Sequence, residues 1–519
     1  MKFLSKLSKS VFVLLAGVLI FTSCKEKTSP QLSVIPSDAT FVITFEIQKM
    51  IQKGGLDNLS EYKSFAKAKE RMKDMDPVFQ RLLDEFIKDP KSSGLDFEKT
   101  YIYGSKGSNT FYCSVNFKMD NKTTFEKRIT ELFKTQGEGI PEIKDMGSYK
   151  IVSENGAALA WNDDLLQIFG GDIDGLDYKS LFNLPVDKSI LSVTDFVSFQ
   201  KEPCDIGFWM SYGELMNFVG KMDITMPEYV NEFKDAYVHS YLNFENGEVK
   251  ASAHLSPQSK VDEFFKKYPV IKKDFNTALL EDFPDKSYLL AKLSINWVEY
   301  IKLLNESVAQ MQAPGMDVYQ KLFNDPTVKT LFDIIEGDVV FSLYNLAQGP
   351  LPIPLAGLSF TLKNESDFER FLALFPKEML KENGGYYVIT TPFMVGLNIG
   401  YKDKRVLITD DAEAIASFVG KGFSPNLKNN PMATELKKSP ALFYLNLDLE
   451  TYPENLRTML KNNVPSGIKM FLSAIEPLKD MSYSVNEKNE VVFSLKFKDS
   501  KQNSLRTILK TVDDAASKQ

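Results

Sequence analysis

Three cysteines, two histidines and three tryptophans are all that 519 residues provide. So little cysteine excludes a disulfide-stapled scaffold, and no pair has the spacing of a zinc or redox motif. Positive charge is not in excess either. Lys and Arg number 62 against 69 Asp and Glu, a net charge of −7, so there is no general pull toward nucleic acid and no basic arm to supply one. Beyond the N-terminus no apolar run reaches the roughly 20 residues that a membrane span needs. The G-x-S-x-G, H-E-x-x-H, P-loop and dinucleotide signatures are absent, so the sequence implies no cofactor. What it has is 43% apolar and 12% aromatic residues, enough for a globular core.

The first cysteine has an informative neighbourhood. Lys2, Lys6 and Lys9 precede an uncharged stretch from Val11 to Phe21, then Thr22, Ser23 and Cys24. A basic start, a short apolar run and small residues before a cut site describe a secretory signal. Small residues directly before a cysteine resemble the lipobox of bacterial lipoproteins, with the bulky Phe21 a departure from that pattern. The resemblance implies that Cys24 carries the lipid and that residues 1–23 are the signal peptide. Residues 24–33 then form a polar tether. Two or three acyl chains, at about 0.8 kcal/mol per buried CH₂, anchor a protein stably. Glu26 is the one acidic residue directly after Cys24, so the periplasmic face and the cell surface both stay open.

The remaining chain reads as a duplication. "IPSDATFVITFEIQKMIQ" from Ile35 aligns without gaps with "FPDKSYLLAKLSINWVEY" from Phe283. "FKMDNKTTFEKRITELF" from Phe117 matches "FTLKNESDFERFLALF" from Phe360. In these, Thr123/Glu126 and Ser366/Glu369 have capping-box spacing. Phe125, Ile129, Leu132 and Phe133 form one helical face, matched by Phe368, Phe371, Leu372 and Phe375. Three consecutive strands are expected from Tyr149 and again from Tyr386. "CDIGFWMSYGELM" from Cys204 and "FENGEVKASAHL" from Phe244 have counterparts from Pro440 and Val485. The halves are residues 34–277 and 278–519. The expected fold class is α+β, internally duplicated, each half a mainly antiparallel sheet with helices packed on one face.

A lipobox, an "IPSDATFV" opening and phenylalanine-rich helices after long strands resemble an uncharacterised family of Bacteroidetes-type envelope lipoproteins, domain-of-unknown-function family 4836. The resemblance spans nearly the whole mature chain. It implies lipoprotein character and carries over no catalytic residue.

Candidate sites are few. Asn246-Gly247 signals a two-residue hairpin turn, which sets His239 opposite His254 on a face shared with Tyr241 and Asn243. The pair becomes a metal site if a third ligand arrives, and is otherwise a solvated or helix-covered polar pair. Asp172, Asp174 and Asp177 resemble part of a calcium loop without its spacing or closing Glu; the competing reading is an acidic turn that caps the next segment, as with Asp410-Asp411. Cys113 and Cys204 lie on apolar strand faces and read as buried small residues, with a bridge between them open. Trp161, Trp209 and Trp297 read as core, and the lysine-rich stretch from Lys63 as a solvated helix face. Apolar loops distinguish the second half. Leu351, Ile353, Leu355, Phe393 and Met394 either pack within the fold or form a docking site for another envelope protein or a hydrophobic ligand.

These readings lead to one expectation. The protein is held in the bacterial cell envelope, at the outer membrane, by the lipid on Cys24, and has a non-catalytic binding or scaffolding role. The alternative is a hydrolase acting on an envelope or extracellular polymer, for which 69 acidic residues offer too many pairs for spacing to choose two.

Overall fold

The computed structural model describes residues 29–517 except 73–75, 108–109, 135–140, 155, 221–227, 311–320, 348–352, 391–395 and 463–471. Cys24 lies outside the described residues. Two compact units are present. The first comprises Met1–Val219, Lys234–Pro257 and Ser500–Gln519, the second Gly220–Phe233 and Gln258–Asp499. Relative to a cut between residues 277 and 278, residues 258–277 therefore fall in the second unit and 500–519 in the first.

The first unit has ten strands: β1 (Phe41–Phe45), β2 (Leu95–Lys106), β3 (Phe111–Met119), β4 (Lys144–Asp145), β5 (Lys150–Glu154), β6 (Ala157–Trp161), β7 (Leu165–Gly171), β8 (Ile206–Ser211), β9 (Tyr237–Glu245) and β10 (Glu248–Ser256). All pairings among them are antiparallel, in the order β4-β5-β6-β7-β3-β2-β1-β8-β9-β10. The second unit has β11 (Leu289–Ser294), β12 (Ile335–Ala347), β13 (Ile353–Leu362), β14 (Leu380–Asn383), β15 (Tyr386–Ile389), β16 (Leu397–Lys402), β17 (Arg405–Thr409), β18 (Ala441–Asn446), β19 (Leu478–Val485) and β20 (Val491–Phe497). Their order is β14-β15-β16-β17-β13-β12-β11-β18-β19-β20, again all antiparallel. Position by position, this is the order of the first unit. Both sets of three consecutive strands expected from Tyr149 and Tyr386 form.

Helical segments cover both faces of each sheet, not one. The cause is visible in β6, where Ala158, Leu159, Ala160 and Trp161 are all buried. Side chains alternate along a strand, so an unbroken apolar run needs cover on two sides. Ala158 and Ala160 join a cluster with Leu181, Phe196 and Phe199, from the segments between β7 and β8. Leu159 and Trp161 join the opposite cluster, with Ile47, Ile51, Phe86, Phe125, Ile129 and Phe133 from the longer helices. A register shift in β2 between Asp96 and Tyr101 lets one strand feed both clusters, Leu95 and Phe97 on one side and Tyr101 and Tyr103 on the other. In the second unit Leu407 packs with Ile415 and Phe418, and Val406 with Ile334 and Phe371 on the other side.

Two local expectations need correcting. Neither capping box forms. Asn121 caps the helix Lys122–Lys134 by accepting from Thr124 N at 2.8 Å, which frees Glu126 to accept from Trp161 Nε1 at 3.1 Å. Ser366 makes no side-chain cap, because Asp367 reaches back to Asn364 N at 3.0 Å and pairs with Arg370 at 2.8 Å. Cys113 and Cys204 are free thiols. Cys204 packs against the Trp209 cluster, whereas Cys113 shares the strand parity of Val115, which packs against the Trp161 cluster. The sheet lies between them, and burial pushes both thiols up.

The helix Ser504–Ser517 completes the first unit. Asp513 accepts from Lys63 N and Ser64 N at 2.8 and 2.7 Å, capping the solvated helix Lys63–Met72.

Candidate functional site

In the first unit an apolar cavity of about 190 Å³ lies between two helices and the sheet. Its roof is the helix Pro77–Lys88. Asp76 starts that helix by accepting from Val78 N and Phe79 N at 2.8 and 3.3 Å, and Pro77 brings the fixed φ of a first helical residue. Helical spacing then turns Phe79, Leu82, Leu83 and Phe86 toward the sheet. The side wall is the helix Lys122–Lys134, through Phe125, Ile129 and Leu132, and the floor is Phe97, Phe117, Leu159, Leu166 and Ile168. Phe97 stands edge-on to both Phe86 and Phe117, with ring centres 5.6 and 5.4 Å apart. Gly94 lets β2 begin this close to the wall: its φ is +83°, and a Cβ there would sit 2.5 Å from Phe125 N.

Polar residues reach the lining at Ser92, Ser93 and Arg128, and the side chains of Ser93 and Arg128 have partners elsewhere. Ser93 Oγ donates to Pro90 O at 2.6 Å. Arg128 Nε donates to Ser92 O at 3.2 Å. The Arg128 guanidinium meets Glu85 at 2.5 Å and Glu131 at 3.3 Å. Arg81 bridges the same two carboxylates, each at 3.0 Å. Arg81, Glu85, Arg128 and Glu131 thus close a ring of alternating charge between the two helices. Arg81 holds the Glu131 carboxyl below its usual range.

The two histidines do pair as the turn demands. His239 lies opposite His254 across the β9–β10 ladder, with ring centres 5.0 Å apart. The covered form of the pair is the one found. His239 is buried, and its Nε2 donates to Asp195 Oδ1 at 2.7 Å. Asp195 belongs to the short helix Thr194–Phe199, whose Phe199 packs 5.3 Å from the His239 ring. The carboxylate also accepts from Trp209 Nε1 at 2.9 Å and Ser256 Oγ at 2.5 Å. Burial alone would raise Asp195, but the hydrogen bonds from His239, Ser256 and Trp209 outweigh it and hold the carboxyl low. Ser256 donates to Asp195 and not to His239, so the three do not form a nucleophile–base arrangement. Among the described residues no group of three His, Cys, Asp or Glu is placed to hold a metal ion.

The other expected sites resolve as follows. Asp177 caps the next helix through Ser180 N at 3.1 Å, and Asp411 caps another through Glu413 N at 2.9 Å, as an acidic turn requires. Asp172 accepts from Thr110 N at 2.7 Å. Leu351, Phe393 and Met394 lie outside the described residues. Ile353 opens β13 paired with Ala347 and is 62% exposed, whereas Leu355 packs against the cluster of Phe283 and Tyr344. Trp161 and Trp209 are wholly buried. The cavity itself had a sequence signal that composition obscured: "DPVFQRLLDEF" has an Asp-Pro helix start and a narrow apolar stripe.

A family model described as "Domain of unknown function (DUF4836)" matches residues 32–505, and the chain belongs to that family. No curated protein matches it. Among solved structures, "Structure of crystal form I of TP0453" matches over 49% of this chain and 90% of that chain, at 8% identity and a TM-score of 0.24.

Proposed function

We propose that this protein is a lipid-anchored component of the bacterial cell envelope that binds an apolar ligand in its first unit without transforming it. The cavity beneath Pro77–Lys88 carries the reading. A partly open space of about 190 Å³ lined by five phenylalanines and further aliphatic side chains leaves apolar surface uncovered, and small-molecule sites are concave and mostly apolar. Anchoring rests on the signal and lipobox pattern that ends at Cys24. The test is native mass spectrometry of full-length protein extracted gently from its own membrane. A small-molecule adduct present in the parent and missing from Leu83→Trp supports the reading. An adduct unchanged by that substitution, or none in either protein, contradicts it. Metabolic labelling with a palmitate analogue that marks the parent but not Cys24→Ala tests the anchor.

We also read the two units as copies of one ancestral unit. The shared order of ten strands supports this, as does a repeated helix start: Asp76-Pro77 and Asp325-Pro326 each cap through the Asp side chain.

A further inference from the structure

Taking the cavity as a ligand site, we infer that it selects an uncharged hydrocarbon group, and that the Arg81–Glu85–Arg128–Glu131 ring is a clasp that ties together the two helices framing it. Selectivity follows from how the polar groups of the lining are engaged. Ser93 Oγ is held by Pro90 O, and Arg128 by Ser92 O, Glu85 and Glu131. Neither Ser93 nor Arg128 is left to meet a carboxylate inside, and apart from Ser92 the rest of the lining is apolar. Size sets a second limit. The space is slightly larger than the roughly 150 Å³ cavity known to hold benzene, so a ring or the end of an acyl chain fits and a whole phospholipid does not.

The clasp follows from where the four charges stand. Arg81 and Glu85 sit on the roof helix Pro77–Lys88, and Arg128 and Glu131 on the wall helix Lys122–Lys134. Both helices contribute lining residues, and Arg128 of the ring is itself in the lining. Its outer member, Arg81, is 44% exposed, so screening ions reach it. Separating the helices to admit a ligand breaks the links from Arg81 to Glu131 and from Arg128 to Glu85. Salt, or loss of the Arg81 charge, therefore speeds exchange without touching the apolar lining.

The experiment is an NMR titration of the full chain with toluene, n-hexane and phenol, with exchange rates measured at low and high salt. Toluene or hexane should bind the parent and not Leu83→Trp; the tighter of the two tells whether a ring or a chain is preferred. Phenol should bind at least about tenfold more weakly than toluene, because its hydroxyl would exchange water for an almost wholly apolar lining. Arg81→Gln, an exposed change that leaves the fold intact, should speed exchange about threefold while reducing its salt dependence. If neither hydrocarbon binds, the cavity is not a ligand site and the proposed function falls with it. If hydrocarbon binds but exchange is the same in Arg81→Gln and at high salt, the clasp is wrong and the site stands. Phenol binding as tightly as toluene overturns the hydrocarbon selectivity.

Discussion

Beneath the Asp76-capped helix Pro77–Lys88 the first unit keeps an open apolar space, whereas by the Asp325-capped helix Pro326–Ile334 the second unit packs Trp297 tilted against Phe332 with ring centres 4.9 Å apart. The strand orders are the same and the helix starts are chemically alike, but the helices differ in length, twelve residues against nine, and in the side chains they carry. On the proposed reading, one strand order supports a packed layer in one unit and a receptive one in the other. The treatment of buried charge differs in parallel. In the first unit Asp195 is shared by His239, Trp209 and Ser256. In the second, Lys292 is buried, and among the described residues its ammonium meets backbone carbonyls and no carboxylate. It donates to Leu436 O and Ser439 O at 2.8 and 2.5 Å and lies over the Phe275 ring at 3.9 Å.

The strongest way to break the contrast is to empty the second unit. Trp297→Ala should cost about 3 kcal/mol in denaturant unfolding and create a toluene-binding space there. A smaller effect separates the buried charges. Burial lowers Lys292 to about 8 from an ordinary 10.5. The folded chain therefore holds this proton less tightly than the unfolded chain, and stability should rise by up to ~3 kcal/mol between pH 8 and pH 10.5. Lys292→Met should lack this rise, read as the difference between the two proteins so that other titrations cancel. Asp195→Ala leaves the Trp209, Ser256 and His239 groups buried without their acceptor, and should cost about 1–3 kcal/mol by thermal unfolding. The smallest test compares the caps. Asp76→Ala and Asp325→Ala should each cost about 1 kcal/mol, but only the first should also weaken hydrocarbon binding in a toluene titration.

Much of the fold was legible where local chemistry decides it. Asn246-Gly247 sets the β9–β10 register, and with it the facing histidines, because a two-residue turn admits little else. The strand triplets after Tyr149 and Tyr386 were legible because short apolar runs are separated by turn residues. Asp177 and Asp411 behaved as caps because a short carboxylate before a helix has donors within reach. What stayed hidden depends on distant partners. Ala158 and Ala160 look unremarkable in a strand, yet their burial brings a second helical layer to the sheet. Thr123 lost its capping role to Asn121, two residues earlier, and Glu126 then served Trp161. Asp195 drew no notice because its importance comes from β8, β9 and β10 arriving above it. The cavity was hidden most deeply: "DPVFQRLLDEF" shows its roof helix, but the space beneath depends on strands and a second helix far away in the sequence.

The account's central claim is that the first unit is the receptive one. Crystals of the full chain exposed to toluene vapour test it most directly. The account predicts density for one ring among Phe79, Leu83, Phe97, Phe117 and Ile129, and none beside Trp297 and Phe332. An empty first-unit cavity, or toluene bound beside Trp297 and Phe332 as well, would contradict it.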